Sequence, residues 1–317
     1  MPGTDLQVSR LVFGTMTFGS QVSESVAHAM IERSLESGIN MLDTANAYNA
    51  GESERILGAA LQGRRHDVLI ATKVFNPMGD APDERGLSER AVHKAIDASL
   101  QRLATDYVDV YYFHQPDWET PIEESLGAMD ALVQDGKVRY IGVSNYAAWQ
   151  ICEINCLRAR AGRPPVMVSQ QMYNLLARRI EEEYAAYSEQ AGLFDIVYNP
   201  LAGGLLTGKH RAGSTPSEGT RFTQEMYRRR YWDDAHFDAV ERLRSMAEDA
   251  GLSLMELAFR WLLGRPLVDC VLLGASSMEH LNGNLAACDG PPLDDDLAKR
   301  CDEVWADLRG PAAAYNR

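Results

Sequence analysis

The sequence has no apolar run long enough to cross a membrane. A membrane helix needs about 20 consecutive apolar residues, and no segment of the 317 residues approaches that length. The chain also lacks the pattern of a secretory signal, in which a charged stretch precedes an apolar one. We therefore expect a soluble cytoplasmic protein with no membrane partner.

Cysteine and clustered positive charge are scarce as well. The five cysteines are an odd number without the close grouping of a metal site, which predicts reduced thiols and no metal centre. Asp and Glu outnumber Lys and Arg by 45 to 31, so the formal net charge is -14. Because binding to nucleic acid requires clustered cations that neutralise phosphates, this balance predicts no nucleic-acid partner.

What the sequence does contain is an alternation of short apolar runs and segments with helical periodicity. The apolar runs are candidate strands at 11–16, 39–43, 68–74, 107–114, 138–143, 166–171, 194–199 and 268–273. The helical segments lie at 24–37, 53–62, 88–102, 122–135, 146–161, 179–191 and 236–263, with a further helix after the last strand. Near-continuous apolar strands that alternate with helices indicate a parallel sheet covered by helices.

Eight strand–helix units predict a closed barrel. They favour an α/β fold with one domain, a (β/α)8 TIM barrel over residues 1–317 with long loops at its C-terminal face. The length would also allow two domains, and an open doubly wound sheet is an alternative architecture. That sheet needs a glycine-rich fingerprint after its first strand, and the segment GTMTFGS lacks the required spacing.

Three of the predicted strands end in residues capable of acid, base or ion-pair chemistry. These are Asp43, Lys73 and His114, and Tyr48 follows Asp43 by five positions. Taken singly, each is more simply a turn former, a helix cap or a solvated charge. Together they would meet at the carboxyl ends of the strands, where barrel active sites form. A neighbouring ammonium lowers the pKa of a phenol, so the set predicts a proton donor for a carbonyl oxygen.

Further polar residues follow the later strands on the same face. Ser144, Asn145 and Gln170 can hydrogen-bond the carboxamide of a nicotinamide, and Tyr198 can supply a flat surface for stacking. Ser144 and Asn145 are equally consistent with capping the helix that follows them. Two later segments, LAGGLLTGKH and LGASSMEHLNGN, are candidate phosphate sites because they combine glycines or small hydroxyl residues with a helix N-terminus.

At these residues the sequence resembles the aldo-keto reductases over about nine-tenths of its length. The resemblance is carried by VSRLVFGTMTFG, LDTANAY, ATKVF, VDVYYFHQPD, GKVRYIGVSN, VSQQMYNLL, YNPLAGGLLTGK and LLGASSMEHLNGNLAA. It implies that Tyr48 is the general acid, that Asp43 and Lys73 lower its pKa, and that His114 orients the carbonyl. It also implies cofactor contacts from Thr15, Met16, Asp43, Ser144, Asn145, Gln170, Tyr198, Pro200, Leu201, Gly203, Lys209, Arg221, Gly274, Ser276, His280 and Asn284.

The sequence departs from the usual family pattern at the residues that bind the cofactor's 2′-phosphate and adenine. Many members carry Arg or Lys at the position of Ser276, and Gln or Arg at that of His280. The Ser-Ser version resembles the branch of aflatoxin aldehyde reductases and potassium-channel β subunits, in which an arginine of the loop after strand seven contributes. Arg221 is the matching residue, so the resemblance implies NADPH as the cofactor, with NADH as the second possibility.

The longest irregular stretch is predicted at 209–233. Loops of this length are usually lids or mobile segments, and Arg221, Tyr231 and Trp232 would belong to a lid over cofactor and substrate. Phe18, Phe75 and Trp118 are candidate substrate contacts in other loops of the active face.

We therefore expect an NADPH-dependent oxidoreductase that reduces an aldehyde or ketone, with a small carbonyl compound as its substrate. One alternative is an NAD-dependent dehydrogenase of a sugar or secondary alcohol. Another is a regulatory subunit that senses the nicotinamide state with little turnover. A metal-dependent hydrolase is disfavoured because the strand ends offer only Asp43 and His114 as ligands.

Overall fold

A computed structural model describes residues 1–311, in which strands and helices alternate. The strands of this part are Leu11–Gly14 (β1), Met41–Asp43 (β2), Leu69–Val74 (β3), Val108–Phe113 (β4), Val138–Ser144 (β5), Val168–Met172 (β6), Phe194–Tyr198 (β7) and Cys270–Gly274 (β8). Its α-helices are Glu24–Glu36 (α1), Glu52–Ala60 (α2), Glu89–Leu103 (α3), Ile122–Gln134 (α4), Ala148–Arg160 (α5), Tyr184–Ala191 (α6), Glu225–Tyr231 (α7), Asp234–Asp249 (α8), Leu254–Leu263 (α9), Met278–Cys288 (α10) and Asp295–Arg309 (α11). None of the helices in residues 1–311 is long and apolar enough to span a membrane.

The strands close into a parallel barrel. Each strand pairs with the next along the chain, and β8 pairs with β1, where Gly274 lies opposite Gly14. This topology confirms the predicted (β/α)8 barrel. Alternate strand residues such as Val12, Ala71 and Val110 pack together as one buried cluster inside the barrel, because successive side chains on a strand point to opposite faces.

The same alternation positions the candidate site. Met41 and Ala71 belong to the interior cluster, and Asp43 and Lys73 follow two residues later on the same strands. Side chains two positions apart share a face of a strand, so both point inward at the carboxyl end of the barrel. His114, which follows β4, continues the inward face of its strand in the same way.

The predicted single helix over 236–263 is wrong, because this region forms two helices, α8 and α9. Gly251 interrupts the helical path with a φ of 69°. The Ser253 side chain then accepts a hydrogen bond from the backbone N–H of Glu256, whose carboxylate accepts one from the N–H of Ser253. This reciprocal capping box begins α9. Two helices also follow β8 where the sequence predicts one, and the second of them, α11, packs against α8.

The prediction that residues 209–233 are irregular is also wrong in its second half, which contains α7. Phe222 and Tyr231 are buried in the main hydrophobic core. The hydroxyl of Tyr231 accepts a hydrogen bond from Asn199 Nδ2 at 2.8 Å, and the ring of Trp232 packs 4.7 Å from that of Phe222. These apolar rings hold the segment against the barrel.

Candidate active site

Asp43 and Lys73 form a buried ion pair at the mouth of the barrel. The ammonium of Lys73 donates to Asp43 Oδ1 and to the backbone carbonyl of Thr44, the latter at 2.8 Å. The other carboxylate oxygen of Asp43 accepts a hydrogen bond from Gln170 Nε2 at 2.9 Å. A buried charge is tolerated only when it is paired and its hydrogen bonds are satisfied, and these contacts meet both conditions.

The ammonium of Lys73 remains charged in this surrounding. Burial by itself lowers the pKa of Lys73, but the charges and hydrogen bonds of Asp43 and Tyr48 raise it by more, so the net shift is upward. Lys73 Nζ lies 5.2 Å from the centre of the Tyr48 ring. The structure therefore places a permanent positive charge beside the phenol.

Burial gives Tyr48 a raised pKa and not the expected net lowering, although Lys73 by itself lowers this pKa as predicted. Burial raises the pKa of the phenol, and the opposing charge of Lys73 does not outweigh the desolvation. The phenol therefore stays protonated at neutral pH, as a proton donor must be.

A left-handed turn holds Tyr48 in position. Asn49, the next residue, has a φ of 51°, a conformation that asparagine adopts more readily than most residues. Its amide nitrogen donates to the carbonyls of Met16 and Phe18 at 2.9 and 2.6 Å. The turn that carries Tyr48 is thereby tied to the loop after β1.

His114 lies next to Tyr48, with their ring centres 5.9 Å apart in an edge-to-face arrangement. Its backbone N–H donates to Val74 O and its carbonyl accepts from Asn145 Nδ2, both at 2.9 Å. Burial, together with the charge of Lys73, lowers the pKa of His114 to about 3. The imidazole is therefore neutral at physiological pH.

The four residues predicted to act together are thus brought together by the structure. The contacts join Asp43 to Lys73, and place Lys73 and His114 against Tyr48. Their catalytic roles stay predictions.

Three of the residues predicted to face the nicotinamide contact one another. The Tyr198 hydroxyl donates to Asn145 Oδ1 at 2.6 Å, and Asn145 Nδ2 lies 3.1 Å from Ser144 Oγ. Asn145 is exposed and has a φ of 63°. The amide nitrogen of Gln170 donates to Asp43 and so supports the ion pair, and its contact with the nicotinamide stays a prediction.

The glycine-rich segment after β7 is folded onto itself. Gly203 has a φ of 70°, and its N–H donates to Asn199 Oδ1 at 2.7 Å. This amide is therefore satisfied within the loop, and the cofactor contact of Gly203 stays a prediction. Pro200 is buried, Leu201 packs against the core, and Lys209 is exposed.

Arg221 reaches from the loop after β7 to the end of β8. Its Nη1 donates to the hydroxyl of Tyr227 at 2.6 Å, and a Cβ atom added to Gly274 would lie 3.3 Å from its Nη2. Ser276 Oγ and His280 Nδ1 are 3.0 Å apart at the beginning of α10. A guanidinium, a hydroxyl and a helix N-terminus fit a phosphate group, and the missing Cβ at Gly274 leaves room beside them.

Two residues predicted to contact the cofactor use their side chains inside the protein instead. Thr15 is fully buried, and its hydroxyl hydrogen-bonds Ser53 Oγ at 2.7 Å and the carbonyl of Asp43 at 3.1 Å. Asn284 is buried, and its amide nitrogen donates to Gly274 O at 3.1 Å. These polar groups support the walls of the site, and the cofactor contacts of both residues stay predictions. Met16 is half-buried in the loop after β1.

The three residues predicted to contact the substrate differ in how far they are buried. The prediction for Phe18 is wrong, because its fully buried ring packs edge-on against Phe13 at 5.9 Å. Phe75 packs against the core at the end of β3. Trp118 is 78% exposed, 6.4 Å from the ring of Trp149. Of the proposed lid residues, Tyr231 and Trp232 belong to the aromatic packing described above.

Sequence reasoning missed Asn76 and Tyr227. Asn76 Nδ2 lies 3.1 Å from His114 Nδ1, and Tyr227 holds the guanidinium of Arg221 both by its hydroxyl and by its ring face, at 5.4 Å. The only local signal for Asn76 is its position three residues after Lys73. Because Asn76 and Tyr227 act by contacting another functional side chain, the sequence pattern contains no further signal for them.

The structure bears on metals and thiols only for residues 1–311. In this range no group of three or more His, Cys, Asp or Glu side chains is arranged to hold a metal ion. All five cysteines lie in this range as free thiols, as the sequence predicts.

Comparison with known proteins identifies the family. The model of the aldo/keto reductase family matches residues 10–306. Aflatoxin B1 aldehyde reductase member 2 of Rattus norvegicus is 38% identical over 93% of this chain and 84% of its own length. A probable voltage-gated potassium channel subunit beta of Oryza sativa subsp. japonica is 36% identical over 91% of this chain and 90% of its own length. An uncharacterised oxidoreductase of Bacillus subtilis is 33% identical, with coverage of 95% and 94%.

These similarities confirm the resemblance inferred from the motifs, including its branch. The barrel, its mouth lined by Asp43, Tyr48, Lys73 and His114, and the family match over residues 10–306 lead to one conclusion. This chain belongs to the aldo/keto reductase family and is an NAD(P)H-dependent oxidoreductase.

Proposed function

We propose that this protein reduces small aldehydes or ketones to alcohols with NADPH. The observation that carries the proposal is the buried Asp43–Lys73 pair beside a protonated Tyr48 and a neutral His114. The name of the rat relative, an aldehyde reductase, supports the same substrate class.

Tyr48 is the proton donor in this proposal. NADPH, when bound, supplies the hydride that the carbonyl carbon receives. The phenol of Tyr48 gives its proton to the carbonyl oxygen, and the ammonium of Lys73 stabilises the phenolate that remains. Asp43 keeps Lys73 charged and oriented through their direct hydrogen bond.

His114 orients the substrate. Its low pKa keeps the ring uncharged at neutral pH, so it serves as a hydrogen-bond donor to the carbonyl oxygen and does not compete with Tyr48 as an acid. The edge-to-face contact with Tyr48 brings both groups to the same oxygen.

The remaining strand ends hold the cofactor. Ser144 and Asn145 bind the nicotinamide carboxamide, and Tyr198 forms the surface on which the ring stacks. Arg221 and Ser276 bind the 2′-phosphate, which distinguishes NADPH from NADH. The approach of Arg221 to Gly274 supports this choice.

Tyr48→Phe tests the proposal. The variant should bind NADPH as the wild type does and lose about 10² to 10⁴ of its turnover, the usual contribution of a general acid. Binding is measured by fluorescence titration and turnover by a panel of aldehydes and ketones. Tyr107→Phe is the matched control, because Tyr107 precedes β4 at the opposite end of the barrel. A Tyr48→Phe enzyme as active as this control would remove Tyr48 from its role.

A second candidate function is that of a regulatory subunit that senses the nicotinamide state with little turnover, because the rice relative is named as a probable voltage-gated potassium channel subunit beta. The same measurements separate the two functions. Tight NADPH binding without turnover on any carbonyl compound of the panel would favour the subunit, and turnover that depends on Tyr48 favours the reductase.

A further inference from the structure

The tautomer of His114 decides whether its ring can serve a carbonyl substrate. A neutral imidazole has one N–H, which donates, and one bare nitrogen, which accepts. A carbonyl oxygen can only accept, so it needs the nitrogen that carries the proton.

Asn76 contacts the imidazole at one nitrogen. Its amide nitrogen Nδ2 lies 3.1 Å from His114 Nδ1. In this orientation of the amide the carboxamide nitrogen can only donate, so Nδ1 is the bare, accepting nitrogen. The single proton of the neutral ring is then on Nε2.

Backbone pairing holds the two residues side by side. The N–H of His114 donates to Val74 O at 2.9 Å, which continues the pairing of β3 with β4 beyond both strands. Asn76 follows two residues after Val74, and the carbonyl of Phe75 accepts a hydrogen bond from Gly86 N at 2.8 Å. The contact between Asn76 and His114 is therefore built into the register of the barrel.

We propose that Asn76 is a positioning residue that holds His114 as its Nε2–H tautomer, so that Nε2 donates to the carbonyl oxygen of the substrate. The hydrogen bond from Nε2 to the substrate rests on the proposed function. The tautomer itself is a property of the protein without substrate, and it can be measured without turnover.

Replacing the amide by a carboxylate reverses the hydrogen bond. The titratable groups that face the ring are Tyr48, by its edge-to-face packing, and Lys73, whose charge acts on the imidazole. Neither accepts a proton from Nδ1 in the wild type. In Asn76→Asp the carboxylate, which has the shape of the amide but only accepts, draws a proton onto Nδ1. The ring then becomes the Nδ1–H tautomer or the imidazolium.

Nitrogen NMR of protein labelled with ¹⁵N-histidine measures the proposal directly. The two ring nitrogens of His114 are identified by their loss in His114→Gln. The wild type should show a protonated Nε2 and a bare Nδ1. Asn76→Asp should show a protonated Nδ1, and Asn76→Ala a mixture of tautomers. A protonated Nδ1 in the neutral wild-type ring, or an unchanged tautomer in both variants, overturns the proposal.

Steady-state kinetics test what the tautomer does. Asn76→Asp should lower kcat/KM for a small aldehyde by about 10²-fold, the lower end of the contribution of a positioned proton donor, while its affinity for NADPH stays unchanged. Asn76→Gln, which keeps the amide donor, should recover part of the loss. A loss of activity in Asn76→Asp without any change of tautomer makes the residue merely structural and overturns the proposal. A changed tautomer with unchanged kcat/KM leaves the assignment standing and overturns the role of His114 in the proposed function.

Discussion

The interior of the barrel tolerates the charge of Lys73 only because its hydrogen-bond partners are buried with it. Its ammonium has Asp43 and the carbonyl of Thr44 as acceptors, and Asp43 has a second donor in Gln170. Removing one member of such a pair leaves an uncompensated charge in a poorly solvated place. This lowers the free energy of unfolding more than removing both members does. The pair, to which we assign a catalytic role, is therefore one whose disruption should cost stability.

We predict that Asp43→Asn loses about 3 to 5 kcal/mol of unfolding free energy at neutral pH, as expected for a broken buried ion pair. The loss is measured by urea unfolding. The control is the double variant Asp43→Asn with Lys73→Met, which removes the charge as well and should recover most of the stability while remaining inactive. If the double variant is as unstable as the single one, unpaired charge is not the cause.

The start of α9 shows how a local signal divides one helical pattern into two helices. Apolar periodicity continues through residues 236–263, but Gly251 and the capping box of Ser253 and Glu256 interrupt it. Both signals are present in the printed sequence. Periodicity alone describes which face of a helix is buried, and caps describe where the helix begins.

We predict that Ser253→Ala destabilises the protein by about 0.5 to 2 kcal/mol, the usual effect of losing an N-cap side chain. Ser23→Ala is the matched control, because Ser23 precedes α1 without a side-chain cap hydrogen bond. Chemical unfolding of both variants measures the difference. Equal losses in the two serine variants would contradict a role of the cap in stability.

Closure of the barrel joins segments that lie far apart in the chain. Pairing of β8 with β1 completes the ring, and it places Gly274 beside Arg221, a residue of the long segment after β7. The ring of Tyr227 and the buried Phe222 fix that segment, so the guanidinium stays next to the beginning of α10. The proposed phosphate site therefore depends on the complete fold.

We predict that Arg221→Ala weakens NADPH binding by roughly 1.5 to 3 kcal/mol, the scale of a charged hydrogen bond, and leaves NADH nearly unchanged. Fluorescence titration measures both affinities. Thermal unfolding gives a second measure, since a cofactor that binds only the folded protein stabilises it in proportion to its affinity.

Arg229→Ala is the control for this prediction, because Arg229 lies on α7 and pairs with Glu225 on the exposed side. It should bind both cofactors as the wild type does. Equal losses for NADPH and NADH in Arg221→Ala would instead make Arg221 a contact to a part that both cofactors share.

The barrel, and the face on which Asp43, Lys73 and His114 meet, could be predicted from the sequence. Both follow from local patterns, namely the apolar strands, their alternation with helices, and polar residues at strand ends.

The surroundings of these residues depend on how the whole chain folds. The pKa of Tyr48 is raised because desolvation outweighs the charge of Lys73, and desolvation depends on how every neighbouring element packs. The internal hydrogen bonds of Thr15 and the burial of Phe18 have the same origin. The contact between Asn76 and His114 joins the segments that follow β3 and β4. Such contacts depend on distances in the folded protein, and the order of residues in the chain does not specify these distances.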